Sequence, residues 1–148
     1  ETEVNEMDYE SLKLENQLCF PLYAAAKEVV RLYKPLLDEL ELTYTQYIVL
    51  LALWQNGRLS VKQLGEKLYL DSGTLTPLLK KLEAAGLVLR ERSEKDERSV
   101  LITLAQKGLD LRERAATVPE RLFACLPLTR EEAAALYGLL YKVLGGIS

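Results

Sequence analysis

The sequence predicts a mainly α-helical fold with a small β wing, in which a winged helix-turn-helix lies between N- and C-terminal helices. The segment "SVKQLGEKLYLDSGTLTPLLKKLEAAG" has the pattern of two helices joined by a short turn through Tyr69 to Asp71, which is helix-turn-helix spacing. The segments that follow, "LVLRER" and "RSVLITL", are β-branched or alternating runs separated by the polar turn "SEKDE". They predict a β-hairpin, and a hairpin directly after the second helix of such a motif is a wing.

Composition indicates one globular domain and argues against several other classes of protein. The chain has 148 residues, of which 49% are apolar and 28% are charged, as is typical of a soluble domain. No apolar run approaches the ~20 residues of a membrane span, and the acidic start lacks the features of a signal peptide. We therefore expect a cytoplasmic protein with no membrane contact. With no histidine and only two cysteines, we expect no metal site, no cofactor and no disulfide framework.

The net charge of -3 is unevenly distributed along the chain. Residues 1–57 carry 4 basic and 10 acidic side chains, whereas residues 58–98 carry 9 basic and 7 acidic ones. A mildly basic centre permits a DNA-binding face, because affinity for DNA depends on the local field more than on the total charge.

The N-terminal region has a helical periodicity that two prolines interrupt. Pro21 lies within the periodic stretch, so the helix either kinks there or begins anew with Pro21 in its first turn. Pro35 predicts the start of a separate short helix, "PLLDEL". The apolar face, at spacings of three and four, comprises Leu14, Leu18, Leu22, Ala26, Val29 and Tyr33.

Capping signals mark the helices of the central segment. Thr43 and Gln46 have capping-box spacing at the start of "TYTQYIVLLALWQNG", whose apolar body predicts a buried helix that ends at Gly57. Ser60 and Gln63 have the same spacing at the start of the helix-turn-helix. The second helix of that motif runs from about residue 72 to residue 85, and we expect a Schellman motif just after residue 85 to end it. Its inward stripe comprises Leu75, Leu78, Leu79 and Leu82.

Two long helical patterns fill the last third of the chain. The first runs from about Leu104 to Cys125 and is interrupted by Pro119, and the second begins at Thr129, with Glu132 completing a capping box. Their apolar surface exceeds what a small winged module covers, so we expect burial in a homodimer, whose two-fold symmetry suits a palindromic DNA site. The expected organisation is a single domain over residues 1–148, with dimerisation helices at 1–34 and 104–148 and a DNA-binding lobe at 43–104.

The segment "DERSVLITLAQKG", residues 96–108, resembles the wing signature of the MarR family of winged-helix regulators. Within that family, "LENQLCF", "YLDSGTLTPLLKKLEAAGLV" and "RSEKDERSV" are most similar to the organic hydroperoxide resistance repressors, over residues 12–145. Pro21, and Ala105 in place of the usual Thr, depart from the pattern. The resemblance implies a dimeric repressor that binds palindromic operator DNA when an N-terminal cysteine is reduced. It also implies that oxidation of this cysteine by organic hydroperoxides releases the DNA.

The outward face of the second helix carries short polar or cationic side chains that suit phosphates and base edges. These are Ser72, Thr74, Thr76 and Lys80, and the wing adds the cations Arg90, Arg92, Lys95 and Arg98. The resemblance implies that Arg98 enters the minor groove and that Asp96 orients it through an ion pair. Taken alone, the helix residues are more typical of a solvated face than of a DNA contact, but their position between a capped helix and a wing reverses this and favours DNA.

Cys19 is the candidate redox-sensing residue. A thiol attacks peroxide as the thiolate, which a nearby cation, a helix N-terminus or hydrogen-bond donors favour. The resemblance implies that two tyrosine hydroxyls are the donors, and the matching positions are Tyr33 and Tyr44. Fourteen residues of continuous helix separate Cys19 from Tyr33 by about 21 Å, so these side chains can meet only across a dimer. Ordinary packing is the alternative for all three, and Tyr23 is a weaker candidate donor.

The residues around Cys125, "ERLFACLPLT", leave two roles open: a small apolar filler, or a second thiol that resolves a sulfenic acid. The resemblance favours a resolving role, through a disulfide between subunits. A thiol peroxidase would need a positioned Arg or Thr beside its cysteine, and "QLCFPLY" offers neither, so we expect no enzyme. The alternative function is a MarR-type repressor released by a noncovalent phenolic ligand, with incidental cysteines.

Overall fold

The computed structural model describes residues 8–95 and 99–147, and its architecture is mainly helical with a small antiparallel sheet. Two 3₁₀ turns (Glu10–Leu12 and Leu14–Asn16) precede α1 (Cys19–Asp38) and α2 (Tyr44–Asn56). The winged part comprises β1 (Arg58–Ser60), α3 (Val61–Leu68), α4 (Ser72–Ala84), β2 (Val88–Arg92) and β3 (Val100–Leu104). The chain continues with α5 (Gln106–Ala115), α6 (Val118–Ala124) and α7 (Arg130–Gly146).

The first helix confirms one of the two alternatives predicted for Pro21, but it differs from the prediction at Leu14 and at Pro35. Leu14 lies in a 3₁₀ turn before α1, and Pro21 occupies the first turn of α1, where the N–H that proline lacks has no intrahelical partner. The prediction that Pro35 begins a separate helix was wrong, because α1 continues through it. Pro35 removes only one backbone donor, and the residues that follow it, Leu36 and Leu37, are buried in the core. Their packing holds the last turn of α1 in helical geometry.

The helix-turn-helix of α3 and α4 forms as predicted, with a cap at the start of each helix. The Ser60 hydroxyl accepts from the backbone N–H of Gln63 at 3.0 Å, and the Gln63 side chain accepts from the Ser60 N–H at 2.9 Å. Tyr69 ends α3 in the left-handed region, with φ 56°. The Asp71 carboxylate then caps α4 by accepting from the backbone N–H of Thr74 at 2.7 Å.

The sheet has the order β1-β3-β2, and both strand pairs are antiparallel. The hairpin of β2 and β3 confirms the predicted wing. The strand β1 was not predicted, because three residues are too few to show an alternating pattern. It places Leu59 opposite Ile102, and both side chains are buried beneath the helices.

The core lies between α2, α3, α4 and the sheet and extends to the end of α1 and to α5 and α6, and it confirms two predictions. The apolar body of α2 is buried, with Thr43 and Gln46 forming the capping box and Gly57 ending the helix. The four inward leucines of α4 are also buried. Among described residues, no helix is both long and apolar enough to span a bilayer.

Hydrogen bonds to backbone carbonyls join the start of α5 to the end of α4. The predicted Schellman motif is present, since the Leu87 N–H donates to the Leu82 carbonyl at 3.0 Å. The Leu87 carbonyl in turn accepts from the Ala105 N–H at 3.0 Å. Lys107 Nζ donates to the carbonyl of Ala85 at 3.0 Å. The helix that follows the wing is therefore fixed to the helix that precedes it.

The predicted helix from Leu104 to Cys125 is two helices, because the break lies at residues 116–117 and Pro119 sits in the first turn of α6. The capping box of Thr129 and Glu132 starts α7 as predicted. Apolar side chains of α1, α7 and the residues that cap them, Leu18 and Ile147, are exposed in the single chain. They include Leu18, Phe20, Leu22, Tyr23, Val30, Leu136, Tyr137, Leu139, Tyr141, Val143 and Ile147.

Candidate nucleic-acid interface and thiol sites

The candidate DNA-reading face lies on α4. Ser72, Thr74 and Lys80 are exposed, and Thr76 is half-buried. The cap orients the first turn of this face, because the Thr74 N–H is bound to Asp71. Hydrogen bonds from Thr74, chiefly from its backbone N–H, hold the pKa of Asp71 below its usual value, so the cap stays ionised at neutral pH.

The wing, which follows α4 in the chain, contributes further cations. Arg92 and Lys95 are exposed, and Arg90 is half-buried. Asp96 and Arg98 lie outside the described residues, so their ion pair and the groove contact stay predictions.

Arg58 is a further cation, and its position was not predicted from the sequence. It lies on β1 and pairs with Glu91 on β2, with 3.2 Å between Nη2 and Oε2. The two residues are 33 positions apart, and they meet because β3 pairs with both of their strands. This pair joins the outer strands of the sheet.

Cys19 is the first residue of α1, and its side chain is exposed. Leu18 before it is 85% exposed, and Phe20 after it is 43% exposed. Because α1 is continuous from Cys19 to Tyr33, the expected separation of about 21 Å along one helix holds. A single chain therefore does not bring the cysteine and the predicted tyrosine donors together.

Tyr33 and Tyr44 do lie together, with a third tyrosine that was not predicted. The ring centroids of Tyr33 and Tyr44 are 4.9 Å apart, and Tyr47 lies 5.8 Å from Tyr33. Burial, with the charges of Tyr44 and Tyr47, raises the pKa of Tyr33 to about 12. Burial also raises the pKa of Tyr44 and of Tyr47. All three hydroxyls are therefore protonated at neutral pH and can donate hydrogen bonds. A sequence signal for Tyr47 did exist, because it lies three residues after Tyr44 and so on the same helix face.

Cys125 ends α6, and its side chain is exposed. Its Sγ donates to the carbonyl of Arg121, one turn earlier, at 3.4 Å. Arg121 also forms two hydrogen bonds with the Glu39 carboxylate, at 2.9 and 3.0 Å. Cys125 is thus not a buried filler within its own chain.

Comparisons with known proteins place this geometry in a family. The family model for the transcriptional regulator SarA/Rot matches residues 31–114. The organic hydroperoxide resistance transcriptional regulator of Bacillus subtilis is 50% identical over 139 residues, which are 94% of this chain and 95% of that protein. A mutant MarR of E. coli complexed with operator DNA aligns with a TM-score of 0.79 and 30% identity, over 86% of this chain and 93% of that one. The chain belongs to the MarR family.

This chain is also similar in structure to AbfR of Staphylococcus epidermidis. The reduced AbfR bound to DNA aligns with a TM-score of 0.78 and 35% identity, over 96% of this chain and 99% of that one. The disulfide-formed AbfR aligns with a TM-score of 0.64 and 37% identity, over 93% and 97% of the two chains. Membership of the MarR family makes this protein a transcriptional regulator rather than an enzyme.

Proposed function

We propose that the protein is a homodimeric repressor that binds palindromic operator DNA while Cys19 is reduced and releases it when an organic hydroperoxide oxidises Cys19. The observation that carries the DNA-binding part is the capped helix α4, which has a polar outward face and is followed in the chain by a wing that bears the cations Arg90, Arg92 and Lys95. The redox part is supported by the exposed Cys19 at the start of α1 and by the 50% identity to an organic hydroperoxide resistance regulator.

The DNA-binding surface divides between two grooves. Ser72, Thr74, Thr76 and Lys80 read base edges and phosphates in the major groove, because their short side chains cover the outward face of α4. The wing cations Arg90, Arg92 and Lys95 follow the phosphates, and Arg98, steadied by Asp96, enters the minor groove. This division makes the phosphate contacts, and not the base contacts, the source of most of the salt dependence.

The second copy of the chain covers the exposed apolar side chains of α1 and α7. Solvent-exposed apolar surface of this extent is typical of an interaction site, and two identical faces related by a two-fold axis bury it in one step. The first turn of α1 lies within this surface, so dimerisation brings Cys19 to a partner chain. Tyr33 and Tyr44 of the partner subunit then donate to the Cys19 sulfur, and these donors favour the thiolate.

The chemistry has two balanced steps. The Cys19 thiolate attacks one oxygen of the hydroperoxide, the O–O bond breaks, and after proton transfer the products are a sulfenic acid and an alcohol. The Cys125 thiol of the partner subunit then attacks the sulfenic sulfur, so that a disulfide forms and water leaves. A disulfide requires Cα atoms within about 7 Å, which couples the second step to movement of the helices.

The deciding experiment measures DNA release in wild type and in Cys19→Ser. Fluorescence anisotropy follows a palindromic duplex, selected for binding to the reduced protein, while cumene hydroperoxide is added. We expect wild type to release the duplex and Cys19→Ser to bind it with nearly unchanged affinity but not to release it, because serine cannot form a sulfenic acid.

Two outcomes contradict the redox proposal. Release of Cys19→Ser by hydroperoxide would assign sensing to another group. Release of both proteins by a phenolic compound such as salicylate, with no response to hydroperoxide, would favour the noncovalent ligand as the signal.

A further inference from the structure

Glu39, the residue that follows α1, binds two helices from the other end of the chain. Its carboxylate accepts two hydrogen bonds from the Arg121 guanidinium on α6, at 2.9 and 3.0 Å. Its backbone carbonyl accepts a third from Arg114 Nη2 on α5, at 2.7 Å. The end of α1 is therefore tied to both α5 and α6 by a single residue.

The charges of this contact are well matched, although the side chains are exposed. The hydrogen bonds and charge of Arg121, with the charge of Arg114, hold the pKa of Glu39 below its usual value. The Glu39 contact raises the pKa of Arg121. Side-chain exposures of 43% for Arg121 and 55% for Glu39 leave the pair open to water and salt. Such a pair shifts an equilibrium only by roughly up to fivefold, which suits a contact that must open.

Each residue of the contact is linked to one of the two cysteines: Glu39 to Cys19 through α1, and Arg121 to Cys125 through α6. Cys19 begins α1 and Glu39 follows its end, so a displacement of one end of this helix acts on the other. Cys125 lies one turn after Arg121, and its Sγ is bound to the Arg121 carbonyl. The helix α5, which carries Arg114, follows β3 of the wing after one residue. A movement of Cys125 therefore acts directly on the segment that holds Glu39.

We propose that Glu39 and Arg121 are positioning residues that form a clamp, which holds α1, α5 and α6 in the DNA-binding arrangement and opens when Cys125 moves to form the disulfide. The clamp rests on the proposed redox function for its trigger. The covalent step is the one given above, in which thiol and sulfenic acid form a disulfide and water. The clamp itself breaks only hydrogen bonds and an ion pair.

The test compares Glu39→Gln with Asp38→Asn in the full-length reduced homodimer. Both substitutions remove one exposed carboxylate at the end of α1, so they change the net charge equally. Within the described part of the chain, Asp38 pairs only with Lys34 on its own helix, at 2.9 Å, so its loss leaves the contact between helices intact. Arg121→Lys is the conservative variant, because lysine keeps the charge but lacks the two-pronged geometry.

Two quantities are measured for each protein. The first is the affinity of the reduced dimer for the palindromic duplex, and the second is the rate at which the covalent dimer forms after addition of cumene hydroperoxide. We expect Glu39→Gln to bind DNA roughly three- to tenfold more weakly than Asp38→Asn, since a dimer has two clamps. We expect its covalent dimer to form faster by a similar factor, with Arg121→Lys between the two. High salt should raise the rate of covalent-dimer formation by wild type towards that of Glu39→Gln, because salt screens an exposed ion pair.

The outcomes separate the clamp from the redox function. Equal DNA affinity and equal crosslinking rates in Glu39→Gln and Asp38→Asn would overturn the clamp while leaving the redox function intact. If wild type fails to crosslink or release, the redox trigger is wrong. Weaker DNA binding by Glu39→Gln than by Asp38→Asn would still support the clamp in that case.

Discussion

Alanine in place of Gly108 should separate the helix that follows the wing from the end of α4. Gly108 lies in the first turn of α5, and a Cβ built on it would overlap the carbonyl oxygen of Leu87 and lie 3.2 Å from a methyl carbon of Leu104. The backbone oxygen cannot turn aside as a flexible side chain can. The start of α5 must therefore move away from the segment that joins α4 to β2.

The cost follows from the contacts at this junction. Trp54 Nε1 donates to the Gly108 carbonyl at 2.9 Å, and the Ala105 N–H donates to the Leu87 carbonyl at 3.0 Å. Losing both costs about 2 kcal/mol net, and overpacking adds about 1–3 kcal/mol. The better helix propensity of alanine returns about 0.5–1 kcal/mol. The expected loss in free energy of unfolding is about 2–4 kcal/mol, which lowers the Tm of a chain of this length by roughly 6–12 °C.

Thermal unfolding of the reduced protein, at one fixed concentration because a dimer is expected, measures the effect. Gly138→Ala on α7 is the control, since among the described residues no heavy atom outside its own helix backbone and chain neighbours lies within 4 Å of the Cβ it would add. Because α7 belongs to the proposed dimer interface, size-exclusion chromatography first checks that this variant still forms the dimer, and its Tm should then not fall below that of wild type. A Gly108→Ala protein as stable as wild type, with unchanged affinity for the duplex, would refute the argument that this junction fixes α5 to α4.

Three further predictions concern DNA binding and the sensor. Lys80→Ala should weaken DNA binding and reduce the slope of log K against log salt by about 1, because one phosphate contact is lost, whereas Lys34→Ala on α1 should change neither. A fraction of the eight tyrosines should titrate above the usual value of 10, with Tyr33 last, near pH 12. Its raised pKa contributes stability that is complete below pH 10 and is lost as pH rises from 10 to about 12; tyrosinate absorbance that titrates as a single group near 10 would contradict this. On nonreducing gels, hydroperoxide should give a covalent dimer with wild type but not with Cys125→Ser, and a variant that still crosslinks would exclude a resolving role for Cys125.

The sequence predicted those features of the fold whose causes are local. The capping boxes at Thr43, Ser60 and Thr129 each depend on a side chain three residues away, so a short pattern contains all the information. The Schellman motif after α4 is equally local. Pro35 is the opposite case, because the burial of Leu36 and Leu37 against other helices outweighs a strong local signal to end the helix.

Contacts between distant residues had no signal in the sequence. Glu39 and Arg121 are 82 positions apart, and each is an ordinary charged residue on a helical segment. The strand β1 exists because β3 offers it an edge, and Arg58 meets Glu91 for the same reason. The positions of such side chains follow from the assembled fold and not from spacing.

The candidate sensor also depends on contacts between distant residues, and here those contacts are expected between two chains. Within the described part of one chain, the Cys19 thiol accepts no hydrogen bond, and the protonated hydroxyls of Tyr33 and Tyr44 donate none. The thiolate needs a stabilising group such as a hydrogen-bond donor, and the two hydroxyls reach solvent, so they can donate to a sulfur of a second chain. In the proposed two-fold dimer this pairing would occur twice, because each subunit would supply a thiol to one site and donors to the other. We expect oxidation of either Cys19 to disturb contacts between subunits in that dimer, and so to change the spacing of both DNA-binding lobes.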